Sequence, residues 1–344
     1  MHKCCLKTVI ECLDISIYKK SDNGILTPLI REKLLMKNLL FPLIAVLLWS
    51  MNAIVNKAAA TAIDPAAISF YRWALALLVM TPFVLRSVLR HWSIVRKHWW
   101  QLAILGALGM MLYQSLAYYA AHSVSATFMG IMNSLIPLLT VVISIFVLRV
   151  IPTVGIFIGT LLSLAGLTWL VSQGNPATLF SQGLGTGELL MLIASAAYAL
   201  YGVLTKRWAI QLSSWDSLYV QVFFGVILLI PNFLLADDVS LNRHNIGLVA
   251  FAGIAASILA PALWIQGVMR LGANTTSIFM NLAPVFTAII AIFALGEELQ
   301  SYHLIGGGVV LLGVMLAQQL RTPLTHLFKS KKKIEQKKDC LNDS

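Results

Sequence analysis

The sequence predicts an all-α integral membrane protein in which two five-helix repeats are inserted in opposite orientations. Of its 344 residues, 58% are hydrophobic and 11% are charged. Apolar runs long enough to cross a bilayer follow one another along the chain, and residues of the first half recur at a fixed distance in the second. A soluble domain carries about 25% charged residues, so a chain this apolar needs lipid as its solvent.

Ten apolar runs have the length of a membrane-spanning helix, which takes about 20 residues. Their hydrophobicity is continuous rather than alternating, which argues against a lipid-facing barrel. The predicted spans are Leu39–Ala59, Ala66–Leu85, Trp100–Ala121, Ala126–Leu148, Val154–Val171, Leu189–Leu204, Leu218–Leu235, Ile246–Val268, Thr276–Leu295 and Leu304–Leu320.

The two halves of the chain align with each other. An offset of 147 residues pairs Gly106 with Gly253, Ala126 with Ala273, Pro137 with Pro284, Gly159 with Gly306, and Gly166 with Gly313. An offset of 149 pairs Lys57 with Lys206 and Pro82 with Pro231. Because each unit has an odd number of spans, the second enters the membrane from the opposite side, as in many transporters.

The repeat divides the chain into five regions. They are a polar cytoplasmic segment predicted to be disordered (1–37), a first repeat (38–172), a periplasmic linker (173–187), a second repeat (188–320) and a basic cytoplasmic tail (321–344). With a cytoplasmic N-terminus, 22 of the 25 Lys and Arg residues lie on the cytoplasmic side. This bias predicts that both termini are cytoplasmic. The net charge of +11 therefore indicates contact with lipid headgroups rather than with nucleic acid.

Polar and aromatic residues within the spans are candidates for lining a solute path. Trp49, Asn52 and Asn56 share one helical face, and their repeat equivalents include Tyr198 and Tyr201. Unpaired polar atoms are costly in hydrocarbon, so this face is expected to border a wet cavity or an interhelical hydrogen-bond seam. The other candidates are Tyr113, Gln114, Tyr118, Asn133, Trp264 and Asn281. Pro137 and Pro284 are candidate hinges, because proline interrupts the hydrogen-bond ladder of a helix.

Three charged residues near the spans are also candidates. Lys57 and Glu297 lie at span ends, and Arg72 lies about two turns inside the second span. Arg72 could pair with a substrate carboxylate or snorkel to the interface, and of the two we expect snorkelling. No Asp, Glu or His is placed mid-span, so a carboxylate proton relay is not expected. No metal or cofactor is expected either.

The sequence resembles the EamA family of the drug/metabolite transporter superfamily over about residues 38–320. The resemblance rests on LLWSMNAIVNKAAA, SFYRWALALLV, SATFMGIMNSLIPLLTVV, IGGGVVLLGVML and, most specifically, PVFTAIIAIFALGE. Arg72 and Lys57 match the family's usual basic residues. Many members have Gly-Glu after the fourth span as well, where this chain has Arg149 and Val150, so a role that needs both acids is in doubt.

The resemblance implies a transporter rather than an enzyme. We expect a secondary transporter in the bacterial inner membrane that moves a small metabolite by alternating access. An amino acid or related amphipathic solute, exported, is the first expectation. Uptake or exchange of a nucleotide- or sulfur-containing metabolite, and drug efflux, are alternatives. A monomer or a homodimer is compatible with the glycine pairs of the fifth and tenth spans.

Overall fold

The computed structural model describes residues 28–149, 153–177, 185–271, 276 and 279–320, with side chains from residue 38 onward except at positions 171, 281 and 317–319. These residues form helices joined by short turns. The principal helices are α1 (Pro28–Ala59), α2 (Pro65–Arg90), α3 (Trp99–Ala120), α4 (Ala126–Val147), α5 (Val154–Val171), α6 (Thr186–Trp208), α7 (Ser214–Leu234), α8 (Ile246–Leu271), α9 (Ala283–Leu295) and α10 (Ser301–Gln319).

Seven helices in the described part of the chain are long and apolar enough to cross a membrane: α1 to α4 and α6 to α8. Three shorter apolar helices, Val154–Leu170, Ala283–Leu295 and Ser301–Leu316, coincide with the predicted fifth, ninth and tenth spans. Large apolar side chains cover much of the outer surface, such as Phe146 at 77% and Phe293 at 86% exposure. Such a surface suits lipid rather than water.

Helix α1 differs from the prediction at its start. It begins at Pro28, eleven residues before the predicted span, so residues 28–37 are helical rather than disordered. Proline is favoured at the first helical position, and the Leu, Lys and Glu residues that follow are good helix formers. Residues 1–27, the central part of the linker (178–184) and the basic tail (321–344) lie outside the described residues.

Side-chain caps fix where several helices begin. The Asp64 carboxylate accepts a hydrogen bond from the Ala66 N–H at 2.7 Å, and Pro65 occupies the first helical position. The Ser213 hydroxyl accepts one from the Asp216 N–H at 3.1 Å. Both arrangements satisfy an N–H that the helix itself leaves free. Asp64 and Ser213 are 149 positions apart, so α2 and α7 begin at equivalent positions of the predicted repeat.

Helix α4 and the region of α9 are interrupted at equivalent positions of the predicted repeat. Helix α4 breaks at Leu135, and Pro137 lies in the first turn that follows. A short 3-10 segment, Phe279–Leu282, precedes α9, and Pro284 lies in the first turn of that helix. Proline fits such a position because its missing N–H is not needed there. The hinge role of the two prolines stays a prediction.

Helices α3 and α8 each contain a π-helical stretch, at Ala107–Leu112 and Phe251–Leu259. The offset of 147 brings the two stretches into overlap. Such wider turns are rare and occur often at functional sites. They were not predicted from the sequence.

Glycines allow close helix contacts that occur in equivalent pairs. A Cβ on Gly313 of α10 would lie 2.6 Å from the Gly159 oxygen, and one on Gly166 of α5 would lie 2.7 Å from the Gly306 oxygen. The offset of 147 relates Gly159 to Gly306 and Gly166 to Gly313, so the two contacts are equivalent in the repeat. Helices α5 and α10 therefore pack through one antiparallel, glycine-lined seam.

Candidate functional site

A cavity of about 390 Å³ lies within the helix bundle. Its walls come from α1, α2, α3, α4, α6, α7, α8 and α9 together with the segment before α9. Its volume is in the range of small-molecule sites, about 300–1,000 Å³. Because both halves of the chain contribute to its walls, the cavity lies between them.

Most of the residues predicted to line a solute path do border this central cavity. They are Trp49, Asn52, Asn56, Arg72, Tyr113, Gln114, Asn133, Tyr198, Tyr201 and Trp264. Tyr118 does not border the cavity, but its buried hydroxyl lies 3.4 Å from Arg72 Nη1. The side chain of Asn281 lies outside the described residues. Whether these residues bind a solute stays a prediction.

Arg72 is buried beside the cavity and does not snorkel. It is 4% exposed, its Nε donates to Ser257 Oγ at 2.7 Å, and its Nη1 donates to Asn52 Oδ1 at 3.0 Å. Its guanidinium carbon also lies 5.2 Å from the centre of the Trp73 ring. The expectation that Arg72 snorkels is therefore wrong, because these contacts hold the side chain inside the bundle.

An amide chain continues from Arg72. Asn52 Nδ2 donates to Asn56 Oδ1 at 3.3 Å, so the two asparagines of α1 are linked to each other and to the guanidinium. On another wall, the Tyr113 hydroxyl donates to Asn133 Oδ1 at 3.2 Å. The sequence left open whether the polar face of α1 borders a cavity or forms a hydrogen-bond seam, and both descriptions apply.

Two aromatic groups line the cavity. The ring of Tyr198 lies 4.6 Å from that of Tyr113 and 5.4 Å from that of Tyr201. The rings of Trp49 and Trp264 lie 5.4 Å apart, and Trp49 Nε1 donates to the Ala256 carbonyl at 3.2 Å. These planes offer stacking surfaces to a flat or apolar solute.

Two predicted charged residues lie away from the central cavity. Lys57 Nζ donates to the Ala121 carbonyl at 2.7 Å, which ties the end of α1 to the end of α3. The Glu297 carboxylate accepts from the Ala126 N–H at 2.7 Å and from the Thr127 N–H at 3.2 Å and hydroxyl at 2.7 Å. It therefore caps α4 from the end of α9.

Glu297 also borders a smaller pocket of about 270 Å³ at this end of the bundle. Glu188, Glu298 and His303 line the same pocket. The sequence did not predict this grouping, because these residues lie near the ends of different helices and meet only through packing.

Sequence reasoning missed several residues of the central cavity. Ser257 and Trp73 contact Arg72, and Ser50 donates to the Ala283 carbonyl at 3.1 Å. Trp73 follows Arg72 in the sequence, but successive residues of a helix do not face each other, so their contact was not predictable. Ser50 and Ser257 gave no signal either, since serine often bonds within its own helix.

The chain is similar in sequence to proteins of bacteria and of an archaeon. An uncharacterized transporter of Bacillus subtilis, YyaM, is 29% identical over 260 residues, covering 74% of this chain and 84% of the other. An uncharacterized transporter of Archaeoglobus fulgidus is 26% identical, and the match covers 79% of this chain and 94% of the other. Protein PecM of Dickeya dadantii is 23% identical, and the match covers 70% of this chain and 80% of the other.

One solved crystal structure superposes with a TM-score of 0.54 at 20% identity, covering 82% of this chain and 96% of the other. This likeness supports a shared fold only. The model of the EamA-like transporter family matches residues 36–172 and again 185–318. The two matches begin 149 positions apart, which is the offset that aligns the first two spans. Together they cover most of the chain, which is a multi-pass membrane protein and belongs to the EamA-like transporter family.

Proposed function

We propose that this protein is a secondary transporter that moves a small amphipathic organic solute across the bacterial inner membrane. The observation that carries the proposal is the central cavity, which lies between the two matched segments and combines amide groups with aromatic planes. A solute bound there would be reached from either side if the two halves rock against each other. Export is the expected direction.

The proposed architecture has ten spans in two inverted repeats. It is supported by the two matches of one family model and by contacts that come in equivalent pairs. A Cβ on Gly106 would contact the Gln221 carbonyl, and one on Gly253 would contact the Arg72 carbonyl at 3.0 Å. Gly106 and Gly253 are related by the offset of 147, and Arg72 and Gln221 by the offset of 149. The two contacts are therefore equivalent in the repeat. Such equivalence is expected when an axis in the membrane plane relates the halves.

The proposed orientation places both termini in the cytoplasm, because most Lys and Arg residues then lie on that side. Labelling of single cysteines introduced at Gly24 and Asn342 tests it. Both must react with a membrane-impermeant reagent only after the inner face is exposed. Labelling of the two positions from opposite sides would contradict the inverted repeat.

Transport itself is tested by counterflow in proteoliposomes with a panel of amino acids and aromatic carboxylates. We expect saturable accelerated exchange of at least one solute, and its absence across the panel would count against the proposal. Asn52→Leu and Tyr201→Leu are expected to lower the exchange rate more than the yield of folded protein. Tyr119→Leu is the control, because Tyr119 is 38% exposed and does not line the cavity.

A further inference from the structure

Three residues that line the central cavity carry hydrogen-bond donors that lack acceptors. Trp73 Nε1 and Gln114 Nε2 are buried and have no hydrogen-bond partner among the described residues. Arg72 uses Nε and Nη1 in its bonds, while Nη2 donates to no described residue. We refer to Arg72, Trp73 and Gln114 as the donor residues. A buried donor without an acceptor costs about 1–3 kcal/mol, so a solute that supplies acceptors is favoured there.

The amide oxygens near the donor residues are already engaged. Asn52 Oδ1 accepts from Arg72, and Asn56 Oδ1 accepts from Asn52. Asn133 Oδ1 accepts from the Tyr113 hydroxyl. The bonds from Arg72 through Asn52 to Asn56 therefore run away from the guanidinium, and each of the three asparagine oxygens accepts a hydrogen bond within the protein. This polarity suits an acceptor on the solute better than a donor.

The charge of the cavity lining is positive, which also favours a solute that carries acceptors. Arg72 is the one charged residue among those that line the cavity in the described part of the chain. Its bonds go to neutral oxygens, and no carboxylate of the described residues forms an ion pair with it. A buried cation without a counter-ion is costly, and an anionic solute would provide that counter-ion.

We propose that the central cavity selects an organic monoanion with a flat, apolar body, and that Arg72 binds its carboxylate. This inference rests on the proposed transport function and adds a charge preference to it. Trp73 and Gln114 offer further donors to the solute, and the body packs against the aromatic groups around Tyr198 and Trp49. An α-amino acid fits less well, because its ammonium would lie close to the guanidinium that binds its carboxylate.

The test compares four probes that share one phenylpropyl body. They are 3-phenylpropanoate, phenylalanine, 3-phenylpropanamide and 3-phenylpropylamine, which differ in charge. Affinities are measured by calorimetry on the purified full chain in detergent at pH 7. We expect 3-phenylpropanoate to bind about 10- to 100-fold more tightly than the amide, from the usual strength of a hydrogen bond to a charged group. Phenylalanine and the amine should bind more weakly than the acid.

Two variants assign the preference to Arg72. Arg72→Gln should weaken 3-phenylpropanoate at least 10-fold and leave the amide almost unchanged, whereas Lys57→Gln removes a cation outside the cavity and should change neither. Asn52→Asp keeps the side-chain shape and places a carboxylate 3.0 Å from Nη1. It should lower the affinity for the acid and raise that for the amine, even if Arg72→Gln fails to fold.

The outcomes separate the two proposals. Binding of the probes without preference for the acid, or equal weakening of all probes by Arg72→Gln, would overturn the charge selection and leave the transport function standing. Failure of the wild-type protein to bind any of the four probes would overturn the inference about the solute, while the transport function is judged by the exchange assay. A preference for the acid that Asn52→Asp reverses would support the inference.

Discussion

The glycine-lined seam between α5 and α10 leads to a prediction in which two substitutions on one helix have opposite effects. Gly313→Ala would place a Cβ 2.6 Å from the Gly159 oxygen and 2.8 Å from the Ser163 nitrogen. Both are backbone atoms, and ordinary contact begins near 3.4 Å, so the helices must separate by several tenths of an ångström. Gly308 lies five residues away on the same helix, is exposed, and has no atom within 4 Å of its Cβ position.

The magnitudes decide the sign in each case. Overpacking a tight contact costs about 1–3 kcal/mol. Replacing glycine by alanine within a helix gains about 0.5–1 kcal/mol from propensity. Gly313→Ala should therefore be destabilising by about 0.5–2 kcal/mol, while Gly308→Ala keeps only the gain.

The assay is thermal unfolding of purified protein in one detergent, followed by intrinsic fluorescence. Scan rate is held constant, because the unfolding of such proteins is often irreversible. We expect a midpoint a few degrees lower for Gly313→Ala and unchanged or higher for Gly308→Ala. If both substitutions raise the midpoint, the close packing of α5 against α10 is not as described.

Other perturbations have defined signs. Glu297→Gln keeps the acceptor for one N–H of α4 but turns an amide donor toward Thr127, so we expect a loss of about 1–3 kcal/mol, measured as a lower melting midpoint. Asp216→Ala leaves the Ser87 hydroxyl, now 2.9 Å from the carboxylate, without its acceptor; the expected cost of about 1–3 kcal/mol is checked in the same way. Arg149→Gly should stabilise the protein by about 1 kcal/mol and so raise the melting midpoint, because Arg149 has a φ of 54°, a conformation that favours glycine. An unchanged midpoint for Arg149→Gly would contradict that backbone conformation.

The sequence was informative where one physical requirement dominates. Lipid demands long apolar helices, so nearly all helix positions followed from hydrophobic runs. The face of α1 that carries Trp49, Asn52 and Asn56 followed from helical spacing, and it does border the central cavity. The start of α1 at Pro28 was missed, because the residues before the apolar run are polar yet still favour a helix.

Packing decided what the sequence left open. Arg72 could be assigned to the interface or the interior, and only the neighbouring Ser257 and Asn52 show that it stays inside. The π-helical stretches of α3 and α8 depend on how each helix fits against its neighbours. The cap that Glu297 forms on α4 joins residues 170 positions apart, which no local pattern could predict.

The Glu297 cap also makes the two ends of the bundle unequal. At an offset of 147, the counterpart of Glu297 is Val150, whose side chain has no oxygen that could accept a hydrogen bond. Under the proposed alternating access, identical halves would leave an unloaded transporter open to each side for equal times. Because only one half has this carboxylate, we expect the empty protein to favour the state that is closed at the end where α4 begins. It would then bind solute first from the opposite side.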